Sequence, residues 1–381
     1  MKKAKRILSL VLCLVLLTSA FSVSAFALDT GRFKHIPYKC YTYIGDSIAW
    51  GFGLDSGREY TDPENVCSRE EGAYGDLIGK LIEERNDGTT HAAAASGARL
   101  CDYRVAIERG MGKADPYEHD DWYSEKRAPE RTEKLRSLGR DMCDWIAASD
   151  LITLQLGYND ILAAPLFTLQ DSPMMDEMLA LLDDPNAGTL ELSNGMKNLL
   201  KGFGSVILDG MESFRVNTYE LIKDINEING KKADIVLVGY YNPYKELKES
   251  ENSDLTPFLD AISVAVAAMN DYFSEIADMF DNVYYVDVMD VSLFFPDGML
   301  FSEAQEDGDA MLLGAHPDEA GHVYIAKQIL TVLEKVNTCP LYGKDTFFSA
   351  ALFFPDNMLK TIAKVLASIP LKILSSIFPW C

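Results

Sequence analysis

Short apolar runs alternate with longer stretches of helical spacing along most of the chain. Tyr41 to Ile44 is a β-type run that stops at Gly45-Asp46-Ser47. From Ala73 to Glu84, Leu77, Ile78, Leu81 and Ile82 recur on one face of a helix. His91 to Ala95 reads as a short buried strand closed by a turn at Ser96-Gly97. Leu151 to Leu156, set between Asp150 and Gly157, reads as a fully buried one. A helix and then a strand follow twice more: Met211 to Ile228 before Ile235 to Gly239, and Pro257 to Met279 before Val283 to Val288. A last helix spans Pro317 to Val336, with the proline suited to its first turn. This alternation predicts a three-layer α/β/α sandwich around a mostly parallel sheet.

Two internal stretches break the rhythm. Asp102 to Arg140 is highly charged and reads as a solvated excursion leading into a helix near Leu135 to Ala148. Residues 163–210 mix apolar helical pieces, Met178 to Leu182 and Met196 to Leu200, with loops, and read as an insertion near the strand ends.

Both ends of the chain stand apart. Residues 1–27 have the form of a secretory signal peptide: Lys2, Lys3, Lys5 and Arg6, an apolar run from Ile7 to about Leu17, and a small-residue site at Ala25-Phe26-Ala27. The main domain is then 28–340. Residues 341–381 form an apolar and basic tail, with Phe347, Phe348, Phe353, Phe354, Phe378 and Trp380. Within it Leu359, Ile362, Ala363, Leu366 and Ile369 share a helical face, while Lys360, Lys364, Lys372 and Pro370 exclude a spanning helix. The tail suits docking on the body, and also contact with a membrane interface or cover for a site.

The apolar share of 48% supports a sizeable core. A net charge of -23 makes nucleic acid an unsuitable partner, because a phosphate backbone is repelled. Cys40, Cys67, Cys101, Cys143, Cys339 and Cys381 lie beyond the signal segment, which in an exported chain predicts disulfides. No pair has metal-ligand spacing, so a structural zinc site is not expected.

The polar residues just past the predicted strands carry the chemistry. Gly45-Asp46-Ser47, followed by Gly51, puts a serine hydroxyl on a tight strand-to-helix turn, though a plain turn with Ser47 as helix cap has the same letters. Gly157-Tyr158-Asn159-Asp160 offers a side-chain amide that can donate to an oxyanion. Gly97, in Ala95-Ser96-Gly97-Ala98, offers a backbone N–H that can approach closely. In Gly314-Ala315-His316-Pro317, an imidazole sits at a helix start and can act as general base, whereas His322 suits packing on that helix.

In this order and spacing the four pieces resemble the SGNH (GDSL-like) hydrolase family over about Tyr41 to Val336, in its exported, cysteine-containing branch. The resemblance implies an SGNH or flavodoxin-like sandwich and a carboxylic-ester hydrolase with Ser47 as nucleophile and His316 as base. The oxyanion hole is then the Ser47 and Gly97 amides with the Asn159 side chain. It also implies a Cys67–Cys101 bridge. One departure stands out: Leu313 occupies the place where the family usually has an acid that orients the histidine. The Leu313 carbonyl, Asp307, Asp309 or Asp318 are the candidates to replace it. A secreted lipase or short-chain esterase is the first functional expectation. A carbohydrate O-acetylesterase is the second, and a non-catalytic binding protein on the same fold the third.

Overall fold

The computed structural model describes residues 28, 30–54, 59, 62–113, 129–163, 173, 189–245, 256–295 and 313–338. The signal segment, the carboxyl-terminal tail and most of 164–188 lie outside these residues.

Five strands, β1 (Cys40–Gly45), β2 (Thr89–Ala94), β3 (Leu151–Gln155), β4 (Asp234–Val238) and β5 (Val283–Val286), form one sheet in the order β2-β1-β3-β4-β5. Every pairing is parallel. A parallel strand is covered on both faces, and β3 is accordingly buried at all its positions. The helices are α1 (Ser47–Trp50), α2 (Tyr74–Asn86), α3 (Leu100–Gly110), α4 (Pro129–Ser137), α5 (Gly139–Ala148), α6 (Thr189–Asn229), α7 (Thr256–Met279) and α8 (Glu319–Thr338). On one side of the sheet α2 packs against α8; on the other lie α3, α5, α6 and α7, with Phe214 of α6 against Tyr272 and Phe273 of α7. These are the three layers that the alternation predicts.

The register decides where chemistry can gather. Gly45 pairs with Ala94 on one side and with Gln155 on the other, so β1, β2 and β3 end level. The strand order reverses direction beside β1, and the crevice at such a reversal is where open α/β sheets bind ligands.

Several sequence expectations change in the folded chain. The start of the charged stretch is not solvated: α3 lies inside, with Asp102, Arg104 and Glu108 buried, while residues 114–128 lie outside the described residues. Charge enters there because it is paired. The Arg104 guanidinium donates to Asn217 Oδ1 at 2.9 Å and to Glu108 Oε1 at 2.8 Å. Asp102 lies 3.7 Å from both Arg99 and Arg136. The helix Met211 to Ile228 and the piece Met196 to Leu200 belong to one element, α6, whose 41 residues begin inside the expected insertion. Pro317 is not in the last helix: it bridges to Leu293, and the Asp318 carboxylate caps α8 by accepting from Gly321 N–H and Ser292 Oγ–H, both at 2.7 Å.

The cysteine expectation is also corrected. Cys40, Cys67, Cys101 and Cys143 are free thiols, so the Cys67–Cys101 bridge is absent; Cys339 and Cys381 lie outside the described residues. Burial pushes the Cys67 thiol up to about 12 and that of Cys101 well above its ordinary range, which suppresses the thiolate needed for exchange.

Asn229 ends α6 and ties three elements together. Its amide donates to Ile146 O at 2.7 Å and Ser149 O at 2.8 Å, and its Oδ1 accepts from Lys232 N at 2.7 Å and Ala233 N at 2.6 Å. Asn229→Ala leaves buried backbone groups without partners, so stability in urea unfolding is expected to fall by about 3 kcal/mol. A loss within about 0.5 kcal/mol would show that the backbone re-pairs without it.

Candidate active site

The turn out of β1 is built on a close approach. A Cβ on Gly45 would stand 2.3 Å from Ala49 Cβ and 2.9 Å from Gln155 O, so no other residue fits under α1. Asp46 follows, its N–H donating to Gln155 O at 3.1 Å. Its Oδ1 accepts from Ile48 N–H at 3.0 Å, which makes Asp46, and not Ser47, the cap of the helix. Ser47 is thereby left as the first helical residue with its hydroxyl outside the capping role.

That hydroxyl meets the chain's other end. Ser47 Oγ lies 2.9 Å from His316 Nε2, within direct proton-transfer range. The histidine backbone is held on both sides: its N–H donates to Leu313 O at 2.9 Å, and its carbonyl accepts from Phe294 N–H at 3.0 Å. Tyr241 Oη–H adds a bond to Ala315 O at 3.1 Å. The Phe52 ring covers the imidazole with centroids 4.6 Å apart. Of the expected orienting groups, the Leu313 carbonyl is engaged by the main chain and Asp318 caps α8. Asp307 and Asp309 lie outside the described residues.

Gly97 and Asn159 come together beside this pair. Gly97 takes φ of +74°, a left-handed turn that suits a residue without Cβ. Asn159 Nδ2 donates to Ala98 O at 3.0 Å, which fixes the amide against the Gly97 turn and spends one of its two hydrogens. Asp160 strengthens the same junction by accepting from Leu100 N–H at 3.1 Å. Among the described residues no acceptor takes the N–H of Ser47 or of Gly97. All four expected residues thus cluster beyond the level ends of β1, β2 and β3.

His322, the weaker candidate, is buried away from the serine. Its Nδ1 accepts from Tyr74 N–H at 3.3 Å, and burial, with His316 nearby, pushes its pKa down to about 3. It caps the start of α2 and stays neutral. Among the described residues, no cluster of three or more His, Cys, Asp or Glu could hold a metal, and no helix is long and apolar enough to cross a membrane.

Sequence reasoning missed the support beneath the serine. Tyr240 Oη–H donates to Asp46 Oδ2 at 2.7 Å, inside the core. Burial pushes the Asp46 carboxyl up to about 7, against the opposing pull of Tyr240 and the Ile48 amide. Asp160 is pushed to about 7 for the same reason, opposed by Arg99. A tyrosine pair directly after a predicted strand, Tyr240-Tyr241, was the available signal.

The model of GDSL-like lipases and acylhydrolases matches residues 41–329. The chain belongs to this family and is a carboxylic-ester hydrolase. Among solved structures it is similar to an extracellular lipase from Streptomyces rimosus, at 17% identity over 76% of this chain and 98% of that one, with a TM-score of 0.45. A phospholipase A1 from Streptomyces albidoflavus is 16% identical over 78% and 99%, with a TM-score of 0.43. An acetyl-xylooligosaccharide esterase from Geobacillus is 15% identical over 77% and 94%, with a TM-score of 0.35. No curated protein sequence matches the chain.

The raised Asp46 carboxyl has a sign that can be measured. A carboxyl whose folded pKa exceeds its unfolded value binds the proton more tightly in the folded state, so its contribution is complete at low pH and is lost as pH rises through about 7. Asp46→Asn removes that loss. The stability of the variant relative to the parent is expected to rise between about pH 5 and about pH 8 in paired urea titrations. A difference that stays flat or falls would mean that Asp46 is ionised throughout.

Proposed function

We propose that the protein is an exported serine esterase that cleaves carboxylic esters through an acyl-enzyme. The observation that carries this reading is the 2.9 Å contact between Ser47 Oγ and His316 Nε2 at the carboxyl edge of a parallel sheet. Ser47 Oγ attacks the ester carbonyl carbon while Nε2 of the neutral imidazole takes its proton. The carbonyl oxygen becomes an oxyanion held by the Ser47 and Gly97 N–H groups and the free hydrogen of the Asn159 amide. Collapse breaks the bond to the alcohol, which leaves with the proton from Nε2. Water then loses a proton to Nε2 and attacks the acyl carbon, and the returning proton frees Ser47. No cofactor enters these steps.

The substrate is a small-molecule ester, with lipid or aliphatic acyl esters favoured over O-acetyl groups on glycans. Aromatic and aliphatic side chains around His316 support that order. The form of residues 1–27 supports export to the cell surface or medium, where the apolar tail could meet a membrane. A mature protein from the producing cell is expected to begin at Leu28; an intact Met1 terminus would refute cleavage.

Hydrolysis of p-nitrophenyl esters, with fluorophosphonate labelling alongside, tests the mechanism. Ser47→Ala is expected to abolish labelling and to lower kcat by at least about a thousandfold. Asn159→Ala is expected to keep labelling detectable and lower kcat by about a hundredfold or more. A folded parent protein that neither labels nor hydrolyses any ester would refute the esterase reading and favour a binding role.

A further inference from the structure

A guanidinium stands at the edge of the proposed oxyanion hole and takes no part in the ester chemistry. Gly97 opens onto space on its Cα side, with one exception. A Cβ there would lie 2.9 Å from Arg131 Nη2 and 3.9 Å from Arg131 Cζ, and among the described residues no other atom beyond its chain neighbours comes within 4 Å.

Arg131 reaches this point from α4. Thr132, Leu135 and Arg136 form the buried side of that helix, and Arg131, one turn before Leu135, lies half-buried at its border. Two other arginines of the same corner turn inward. Arg99 and Arg136 each lie 3.7 Å from the buried Asp102 carboxylate. Arg131 instead brings its tip to the turn that carries the Gly97 N–H.

The place of that tip limits what it can bind. An oxygen held by the Gly97 N–H is about 3 Å from the nitrogen, so Arg131 Nη2 stands within about 8 Å of the oxyanion. The oxyanion itself has room for about three donors, and Ser47, Gly97 and Asn159 supply them. A guanidinium just beyond the hole therefore meets a different part of the substrate, a few bonds from the scissile carbonyl. Its planar fork carries five N–H donors, so a tip shared with the protein still has donors for a phosphate or a carboxylate. The chain as a whole, at a net charge of -23, repels anions, and a fixed cation at the site offsets that repulsion locally.

We infer that Arg131 binds an anionic group of the substrate, a phosphate or a carboxylate, so that the enzyme selects esters carrying such a group a few bonds from the scissile carbonyl. The inference rests on the proposed esterase reading and narrows the substrate class of the same site. Arg131 is then a specificity-determining residue.

The experiment measures kcat/KM for two matched pairs of esters. Dihexanoyl glycerophosphate against dihexanoyl glycerol tests a phosphate, and p-nitrophenyl hemiglutarate against p-nitrophenyl pentanoate tests a carboxylate. In Arg131→Gln the charged-to-neutral ratio is expected to fall at least about tenfold in one pair or both, and the pair that responds identifies the anion. Arg131→Lys, which keeps the charge without the fork, is expected to fall about threefold. Lys134→Gln removes the same charge from α4 at a residue that lies 3.6 Å from Glu64, and is expected to keep the ratio. A ratio unchanged in both pairs for Arg131→Gln and Arg131→Lys would overturn the assignment, including the case in which charged and neutral esters lose rate together. So would an equal fall in Lys134→Gln, which would mean that the charge of the helix acts at large. Fluorophosphonate labelling separates the two levels: a folded parent that does not label refutes the esterase reading, whereas labelling with an unchanged ratio refutes only the role of Arg131.

Discussion

One close approach underlies the whole site. At Gly45 the chain leaves the sheet and α1 folds straight back over it, with Ala49 Cβ standing 2.3 Å from the place a side chain would need. Any larger residue would push α1 away from the strand end and carry Ser47 with it. Because β1 lies between β2 and β3 in level register, the same point also anchors the turn after Ala94 and the turn after Gln155. Tyr103 Oη closes the junction, lying 2.7 Å from both Gly45 O and Ala93 O and sharing its one hydrogen between them. The nucleophile and the two turns that carry Gly97 and Asn159 are therefore one packed unit.

Beneath that unit the protein buries carboxyl groups that chemistry does not consume. Asp46 holds the cap of α1 and receives Tyr240, and Asp160 holds the start of α3 through Leu100 N–H. Burial raises both pKa values, the mark of carboxyls kept in a medium that disfavours their charge. His322 shows the converse in the same core, a base kept neutral by burial. Each is retained for the backbone groups it satisfies at a helix start. Such bonds fix loop geometry at the cost of desolvation, and they give the active edge its rigidity.

Much of the molecule was legible without coordinates, for identifiable reasons. β3 is a short, mostly apolar run bounded by Asp150 and Gly157, and that brevity between turn residues fits a strand covered on both faces. Ser47, Gly97 and Asn159 each follow a strand, so their convergence was implied once the sheet was parallel, whereas His316 precedes the last helix and its arrival at Ser47 was not. The start of the charged stretch misled because periodicity reports charge and not pairing: buried Arg104 is met by Glu108 and Asn217, and Asn217 lies on a distant helix. Pro317 misled because a helix-starting proline and a bridge-forming one have the same local sequence; Leu293 made the difference.

Local chemistry along the chain therefore determined the alternation of strands and helices, the residue types at the turns and the class of reaction they can perform. Those properties depend on neighbours a few residues away, where spacing and backbone preference act directly. Only the tertiary structure decided that Ser47 and His316 stand 2.9 Å apart, that Tyr240 supports Asp46, and that Phe294 and Leu313 meet over Gly53. These contacts join residues far apart in sequence. Their geometry follows from strand order, register and the packing of α8 against α2, none of which a single segment encodes.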